Sequence, residues 1–283
     1  MTVRHYYLPG SLPEALGLLA ARGPELLVLA GGTVAMPLIN EGISLPGEVM
    51  GLRMAGLDRI ERSGDLLRIG ATATLTRLLD QDVVPVLREA ARNTASWSVR
   101  NMATVGGNLF TPPPGGDVAV ALLALDAGVV LAGPGGQRVV PIAEFYTGFM
   151  TNRIEPDELL VELRVPVRAG GTVYLKLGRK HASTPSVVTV AIRVEWRERR
   201  VAEARVALGA VGPHPIRALA AERVLIGSGL EPDAIEAAAS SAARECEPFT
   251  DAIATDWYRR RMTGLFVRRA LEQLAAGARG EGR

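Results

Sequence analysis

Residues 100–117, with the sequence RNMATVGGNLFTPPPGGD, restrict the fold of this 283-residue chain more than any other segment. Glycine and asparagine tolerate left-handed backbone conformations, and three consecutive prolines exclude both a helix and a central strand. The segment therefore predicts a rigid loop of irregular shape. The apolar run VAVALLAL follows Asp117 directly, and this run predicts a helix that begins at the aspartate.

A second glycine loop lies near the start of the chain. ELLVLA, residues 25–30, predicts a short buried strand, and GGTVAM follows it with Thr33 after the glycines. In the later loop, Thr104 stands just before Gly106-Gly107-Asn108. A phosphate group needs several backbone N–H groups that converge without side chains in the way, and glycine turns supply them. The two loops thus predict backbone cradles that clamp one pyrophosphate from both sides, although glycine pairs also serve tight turns alone.

Two common nucleotide motifs are absent from the sequence. It holds no G-x-x-x-x-G-K-S/T segment, which argues against a P-loop nucleotide hydrolase. It also holds no G-x-G-x-x-G after the first predicted strand, which argues against a standard Rossmann site. A dinucleotide would have to be bound in another way.

Three charged residues near these loops each allow two interpretations. Asp117 either caps the N-terminus of its helix or accepts hydrogen bonds from ribose hydroxyls. Lys176 and Arg179, in the segment YLKLGRK, are either exposed charges on a strand or neutralise a phosphate or a reduced flavin.

Composition and charge narrow the class of protein. Apolar residues make up 48% of the chain and charged residues 22%, which predicts a packed globular core. The formal net charge of +2 is too small to indicate a nucleic-acid partner, and the basic runs WRERR and WYRRR are interpreted as solvated faces. The sequence contains neither a secretory leader pattern nor an apolar run long enough to span a bilayer, so we expect a cytoplasmic protein.

Metal and cluster chemistry is constrained by the sulfur and imidazole residues. Cys246 is the only cysteine, which excludes a disulfide framework, a thiolate zinc site and an iron–sulfur cluster held within this chain. The three histidines, His5, His181 and His214, do not stand at metal-binding spacings. We therefore predict no metal site.

The pattern of apolar residues predicts mixed helices and strands in two domains, divided near residue 169. The second domain is predicted to hold an antiparallel sheet and a helical end. Strands are predicted at 25–30, 48–54, 66–71 and within 187–211, a hairpin turning on 133–136, helices at 11–23, 74–82, 84–95, 117–127, 231–247 and 256–276, and a frayed tail at 277–283.

Several of these segments occur together, in the same order, in one known family. LAGGTVAM, IGATATL, VRNMATVGGNL, GGDVAVALLALDA, DELLVELRVP, YLKLGRK and RVALGAVGPHPIRA span nearly the whole chain. The sequence resembles the FAD-binding medium subunits of molybdenum hydroxylases, the family of xanthine dehydrogenase and aerobic carbon monoxide dehydrogenase.

The resemblance implies an α+β fold. It implies a two-subdomain FAD-binding fold of the PCMH/vanillyl-alcohol-oxidase type over residues 1–168, with subdomains at about 1–57 and 58–168. A smaller domain with an antiparallel sheet and helices, of the carbon monoxide dehydrogenase flavoprotein C-terminal type, is then expected over residues 169–283.

The resemblance also implies cofactor contacts. The first loop would wrap the FAD pyrophosphate, the second loop would contact the phosphates, Asp117 would bind the adenosine ribose, and Leu160 would make a backbone contact. No catalytic acid or base is implied. The expected FAD-binding residues are Leu29, Ala30, Gly31, Gly32, Thr33, Val34, Ala35, Met36, Thr104, Gly106, Gly107, Asn108, Thr111, Asp117, Leu160 and Lys176.

On this resemblance the chain is an FAD-containing oxidoreductase subunit that collects electrons from the 2Fe–2S clusters of a small partner subunit and passes them to an external acceptor. A large partner subunit would carry molybdopterin, and the expected assembly is a dimer of heterotrimers. The alternatives are a stand-alone FAD-dependent oxidoreductase and a cofactor-free interaction module. The substrate and the acceptor stay open, with NAD, a quinone and dioxygen as candidates.

The sequence departs from many relatives at three places. Val34-Ala35-Met36 replaces an acidic residue or serine followed by leucine, TPPPGG replaces a segment with His-Asp or Ala-Asp, and HASTPSVV replaces an Asp-x-Ala segment. These changes leave the expected phosphate contacts in place and bear on the surroundings of the flavin ring.

Overall fold

The computed structural model describes residues 3–113, 115–180 and 183–279. A three-stranded parallel sheet, in the order β1-β3-β2, forms the first part of the chain. Its elements are β1 His5–Tyr7, α1 Leu12–Arg22, β2 Leu26–Leu29, α2 Ala35–Asn40 and β3 Glu48–Gly51, followed by a 3₁₀ turn at Leu52–Met54.

Helix α1 shows how local sequence sets an element. The Ser11 hydroxyl accepts the Glu14 N–H at 3.3 Å, and Gly23 ends the helix with a φ of 71°. The Glu14 carboxylate accepts the Gly10 N–H at 2.7 Å, one residue before the position of a standard capping box. The predicted start and stop of this helix are therefore confirmed.

A five-stranded antiparallel sheet forms the second layer, in the order β4-β5-β10-β6-β7. The predicted hairpin is confirmed, because Gly133 pairs with Gly136 at its turn. The elements are β4 Ile60–Ser63, β5 Leu66–Gly70, α3 Leu75–Leu79, α4 Pro85–Arg92, α5 Trp97–Arg100, α6 Val105–Leu109, α7 Asp117–Ala124, β6 Gly128–Gly133, β7 Gly136–Pro141, α8 Ile142–Phe145, the short pair β8 Tyr146–Gly148 and β9 Thr151–Asn152, and β10 Leu159–Pro166.

A four-stranded antiparallel sheet, in the order β11-β12-β13-β14, carries the last helices on its apolar side. The predicted antiparallel pair within 187–211 is confirmed as β12 and β13. The elements are β11 Gly171–Gly178, β12 Ser186–Arg197, β13 Arg200–Gly209, β14 Ile216–Arg217, α9 Leu219–Leu225, α10 Pro232–Glu245 and α11 Asp256–Arg279.

Helix α7 joins the second and third sheets. All eight of its residues are buried, which is the pattern of a helix packed on every side. Just beyond it, the Asp126 carboxylate accepts hydrogen bonds from Arg193 at 3.2 Å, Arg205 at 2.8 Å and Arg217 at 3.1 Å. Because these arginines lie on β12, β13 and β14, they fix the end of α7 to the third sheet.

One sequence expectation is corrected in the third sheet and its helices. The interpretation of WYRRR as a solvated face holds for its exposed residues Trp257, Tyr258, Arg260 and Arg261 and is wrong for Arg259, which is fully buried. Its guanidinium donates to the carbonyls of Ser186, Val187 and Ala210 and pairs with Asp251 at 2.8 Å, which satisfies the buried charge. The run WRERR does lie at the exposed β12–β13 turn.

The ends of two other elements also differ from the sequence expectations. Strand β3 stops at Gly51, so only the first half of the predicted strand at 48–54 is extended. Helix α11 continues to Arg279, so residues 277–279 are helical where a frayed tail was expected. The rest of that predicted tail lies outside the described residues. No helix in the described part of the chain has both the length and the apolar character needed to cross a membrane.

Candidate cofactor-binding site

A single large cleft runs along residues from all three sheets. Its volume is about 850 Å³, within the range of roughly 300–1,000 Å³ that is usual for small-molecule and cofactor sites. Leu29 at the end of β2, Leu160 on β10 and Lys176 on β11 all contribute to its wall. The lining is mostly apolar, with a few polar groups concentrated in the loops.

The cleft brings together nearly all the residues predicted to contact FAD. Only Met36 does not line it, since its side chain packs beside Gly32 and is 39% exposed. The residues that do line it are Leu29, Ala30, Gly31, Gly32, Thr33, Val34, Ala35, Thr104, Gly106, Gly107, Asn108, Thr111, Asp117, Leu160 and Lys176. Both glycine pairs therefore face one slot, which the predicted diphosphate site requires.

The first glycine loop presents unpaired donors to the cleft. Within the described residues, the backbone N–H groups of Gly31, Gly32, Thr33 and Val34 donate to no protein acceptor. A Cβ on Gly31 would lie 2.0 Å from the Met102 carbonyl oxygen, and Gly32 has a φ of 69°. Glycine is thus needed twice, once for close approach to the Met102 segment and once for a left-handed turn.

The second glycine loop is not irregular throughout, as the sequence predicted, because residues 105–109 form helix α6, and it has no such donors left. The N–H of Gly106 donates to the Ala71 carbonyl at 2.9 Å, and that of Gly107 to the Thr104 hydroxyl oxygen at 3.1 Å. The neighbouring N–H groups of Val105 and Asn108 also have backbone acceptors. The Thr104 oxygen serves as the N-cap of α6, and its own proton remains available to a ligand. The expectation of a second N–H cradle is wrong for this loop.

Asn108 is a structural residue at the cleft wall. Its buried side-chain oxygen accepts the N–H groups of Val118 at 2.9 Å and Ala119 at 3.2 Å. It therefore caps α7 from ten residues upstream and satisfies donors that a helix start leaves unpaired. Gly116, with a φ of 83°, occupies the N-cap position of that helix.

Asp117 does not cap its own helix. One carboxylate oxygen accepts the Lys176 ammonium at 2.6 Å, and the other accepts the Ser186 hydroxyl at 2.7 Å. Lys176 also donates to the Asn93 carbonyl at 3.0 Å, and its side chain is 9% exposed. The interpretation of Lys176 as an exposed strand charge is therefore wrong, whereas Arg179 is exposed.

The two remaining predicted contacts, Thr111 and Leu160, lie on different parts of the fold. Thr111 follows the second loop, and Leu160 lies on β10 where the register with β6 shifts between Leu160 and Glu162. The Val161 carbonyl, next to this bulge, accepts the Ala71 N–H at 3.0 Å, and this bond ties β10 to the segment on which Gly106 rests.

Two ionisable groups near the cleft have shifted pKa values. Hydrogen bonds from the Arg138 guanidinium lower the pKa of Glu158, which lines the cleft, so this carboxylate stays ionised. Burial, reinforced by the negative charge of Asp117, raises the pKa of Tyr174 well above its usual value. Tyr174 is thus a neutral phenol beside the Asp117–Lys176 pair.

The lining also includes segments that the sequence did not predict. They are the Ala71-Thr72 corner after β5, the turn at residues 94–96, Glu158-Leu159, and residues 183–186 before β12. The first and third of these lie in the family segments IGATATL and DELLVELRVP, and residues 183–186 lie in HASTPSVV, one of the places at which the sequence departs from many relatives. The turn at residues 94–96 carries no glycine or phosphate-binding signal and reaches the cleft only through the tertiary fold.

The comparisons with known proteins agree with this geometry. The family model described as "FAD binding domain in molybdopterin dehydrogenase" matches residues 1–168, and the one described as "CO dehydrogenase flavoprotein C-terminal domain" matches residues 173–274. The carbon monoxide dehydrogenase medium chain of Hydrogenophaga pseudoflava is 35% identical, with 97% of each chain covered. The xanthine dehydrogenase FAD-binding subunit of Escherichia coli O157:H7 is 28% identical over 98% of this chain and 97% of its own.

A solved structure extends the likeness to three dimensions. A chain of carbon monoxide dehydrogenase from Hydrogenophaga pseudoflava superposes with a TM-score of 0.93 at 33% identity, with 98% of both chains covered. The fold and the cleft define a flavin-binding component of an oxidoreductase. The chain belongs to the FAD-binding medium subunits of the molybdenum hydroxylases, and the α+β fold expected from the resemblance is confirmed.

Proposed function

We propose that this chain binds FAD and is the electron-transfer subunit of a three-subunit molybdenum hydroxylase. It takes electrons from 2Fe–2S clusters in a small partner subunit and passes them to an external acceptor. The observation that carries the proposal is the cleft, which combines unpaired N–H groups, apolar walls and a fixed carboxylate. FAD supplies the redox chemistry, since a flavin accepts electrons singly and delivers them in pairs.

The chain's own residues bind and orient the dinucleotide. The N–H groups of Gly31, Gly32, Thr33 and Val34 receive the pyrophosphate oxygens, and Thr104 adds one hydroxyl donor. A phosphate held by several backbone donors needs no lysine beside it. The first loop therefore binds the pyrophosphate, and the second loop shapes the slot.

Asp117 receives the ribose hydroxyls of the adenosine half. Each carboxylate oxygen has a second lone-pair direction, so the bonds from Lys176 and Ser186 leave room for a ligand hydroxyl. Those two bonds fix the carboxylate in place. Lys176 therefore serves the cofactor through Asp117.

The partners in this proposal are a large molybdopterin subunit and a small iron–sulfur subunit, arranged as a dimer of heterotrimers in the cytoplasm. The lone thiol of this chain, Cys246, is buried against the third sheet. A cluster relay therefore has to come from another polypeptide. We also retain as a proposal the division into domains at residues 1–168 and 169–283.

The test uses the full chain, expressed alone and with its candidate partners. We expect FAD to bind to the chain alone in a one-to-one ratio, measured by flavin absorbance. We expect flavin reduction by the substrate of the complex only when the partners are present, measured by anaerobic stopped-flow. A chain that takes up no FAD contradicts the proposal, and turnover by the chain alone with a small reductant supports the stand-alone oxidoreductase.

A further inference from the structure

The turn between α4 and α5, residues 93–96, lines the cleft beside the Asp117–Lys176 pair. Thr94, Ala95 and Ser96 are all at the cleft surface. Lys176 connects the turn to the proposed ribose site, because its ammonium bonds both the Asn93 carbonyl and the Asp117 carboxylate.

The carbonyl groups of this turn are held from behind by one side chain. The Nη1 atom of Arg100 donates to the carbonyls of Arg92 at 3.1 Å, Thr94 at 3.1 Å and Ala95 at 2.9 Å. The Asn93 carbonyl between them is taken by Lys176. Every carbonyl from Arg92 to Ala95 therefore has a donor, and the peptide groups of the turn cannot rotate freely.

The N–H groups of the same peptides have no partner. In a trans peptide the carbonyl and the N–H of the next residue point in opposite directions. Since the Thr94 and Ala95 carbonyls face Arg100, the N–H groups of Ala95 and Ser96 face away from it. Across residues 3–113, 115–180 and 183–279, neither N–H donates a hydrogen bond to a protein acceptor.

The direction of these donors follows from the position of Arg100. The three turn residues line the cleft, whereas Arg100, which holds their carbonyls, is not part of its lining. Ala95 has a φ of 51°, a left-handed conformation that a non-glycine residue adopts only when its surroundings enforce it. Arg100 binds the carbonyls of the two peptide groups that flank Ala95.

We infer that Arg100 is a positioning residue, which turns the N–H groups of Ala95 and Ser96 into the cleft to donate to acceptor atoms on the AMP half of the cofactor. The inference rests on the proposed function, because it takes the ligand to be FAD. The AMP half is indicated because the turn adjoins the carboxylate proposed to hold its ribose. Arg100 touches no ligand in this arrangement and acts only through the backbone of the turn.

The test compares two flavins on the apo form of the full chain. FMN has the flavin ring, the ribityl chain and one phosphate, and lacks the AMP half, so it cannot reach the turn. We expect Arg100→Met to raise the FAD dissociation constant by about tenfold or more and to leave that of FMN unchanged. Isothermal titration with each flavin gives both constants.

Two further variants separate positioning from general destabilisation. Arg100→Lys keeps three N–H donors for the same carbonyls, so it is expected to recover part of the lost FAD affinity. Arg92→Met is the matched control, since the Arg92 side chain is exposed and pairs only with Glu89 among the described residues. We expect wild-type binding of both flavins from this control.

The outcomes distinguish this inference from the proposed function. A selective loss of FAD affinity in Arg100→Met, with partial recovery in Arg100→Lys, supports it. An equal loss for FAD and FMN, or no loss, overturns it while wild-type FAD binding leaves the proposed function standing. If Arg100→Met does not fold, Arg100→Gln, whose shorter side chain cannot span the same carbonyls, is measured in its place, and an unchanged ratio of the two constants in that variant overturns the inference. Absence of FAD binding by the wild type overturns both.

Discussion

The first glycine loop, residues 29–36, and the second, residues 104–108, line the same cleft in opposite hydrogen-bonding states. Four consecutive N–H groups are unpaired in the first, and four consecutive N–H groups are committed to protein acceptors in the second. In the second loop a Cβ on Gly106 would lie 2.7 Å from the Ala71 carbonyl oxygen. Glycine therefore leaves a ligand surface open in one loop and permits backbone packing in the other.

The difference implies a division of labour. On the proposed function the first loop keeps its N–H groups unpaired for the phosphates, whereas the N–H groups of residues 105–108 in the second loop already bond within the protein. Substitutions in the first loop should act mainly on FAD affinity, and substitutions in the second mainly on folding. The predictions below follow the expected size of the effect on FAD binding.

Gly31→Ala should have the largest effect. The Cβ of the new alanine would lie 2.0 Å from the Met102 carbonyl oxygen. The loop must therefore move, and its N–H groups no longer point at the phosphates. Loss of two charge-assisted bonds corresponds to roughly a hundredfold rise in the FAD dissociation constant, measurable by fluorescence titration. The control is Gly17→Ala in α1, where a Cβ meets nothing within 4 Å. FAD binding by Gly31→Ala at wild-type strength would contradict the donor role of the first loop.

Thr104→Val should have an intermediate effect on FAD affinity and should also lower the free energy of unfolding. Removing the hydroxyl deletes the N-cap of α6, which costs about 1 kcal/mol of unfolding free energy, and removes one donor to the phosphates. Loss of that donor predicts about a tenfold weaker FAD complex. Thr104→Ser keeps the hydroxyl and should restore both values in chemical denaturation and titration. If Thr104→Val binds FAD normally, the second loop serves structure alone.

Gly106→Ala should affect folding and leave FAD affinity nearly unchanged. Its Cβ would overlap the Ala71 carbonyl oxygen and lie 2.8 Å from the Ala71 Cβ. Overpacking of this kind lowers the free energy of unfolding by about 1–3 kcal/mol, which urea denaturation of the apo chain would report. A Gly106→Ala variant that is stable but binds FAD much more weakly would show that both loops contribute directly to FAD binding. That result would contradict the division of roles between the two loops.

Local chemistry is the part of the fold that the sequence allowed us to predict. Ser11 and Gly23 mark the ends of α1, and the glycines at 133–136 mark a hairpin, because each of these signals acts within a few residues. The two glycine loops were also identified as neighbours of one ligand, and both line the cleft. Their assignment to FAD contacts residue by residue stays a prediction.

Contacts between distant segments escaped the sequence analysis. Lys176 looks like a strand charge until β11 brings it to Asp117, 59 residues away along the chain. Asn108 looks like a loop residue until its side chain meets the start of α7, and Arg259 looks solvated until α11 packs on β12. In each case a polar group is buried because a partner arrives from elsewhere in the fold, and no local pattern encodes that arrival.

The buried guanidinium of Arg259 connects the C-terminal helix α11 to residues outside its own layer. It holds the Ser186 carbonyl, and the Ser186 hydroxyl holds the Asp117 carboxylate, so two side chains join α11 to the nucleotide end of the cleft. Because coupling between two sites is reciprocal, a ligand that binds more tightly at Asp117 would also stabilise the packing of α11 on the third sheet. Loss of a ligand from Asp117 should therefore weaken the packing of that helix on the third sheet.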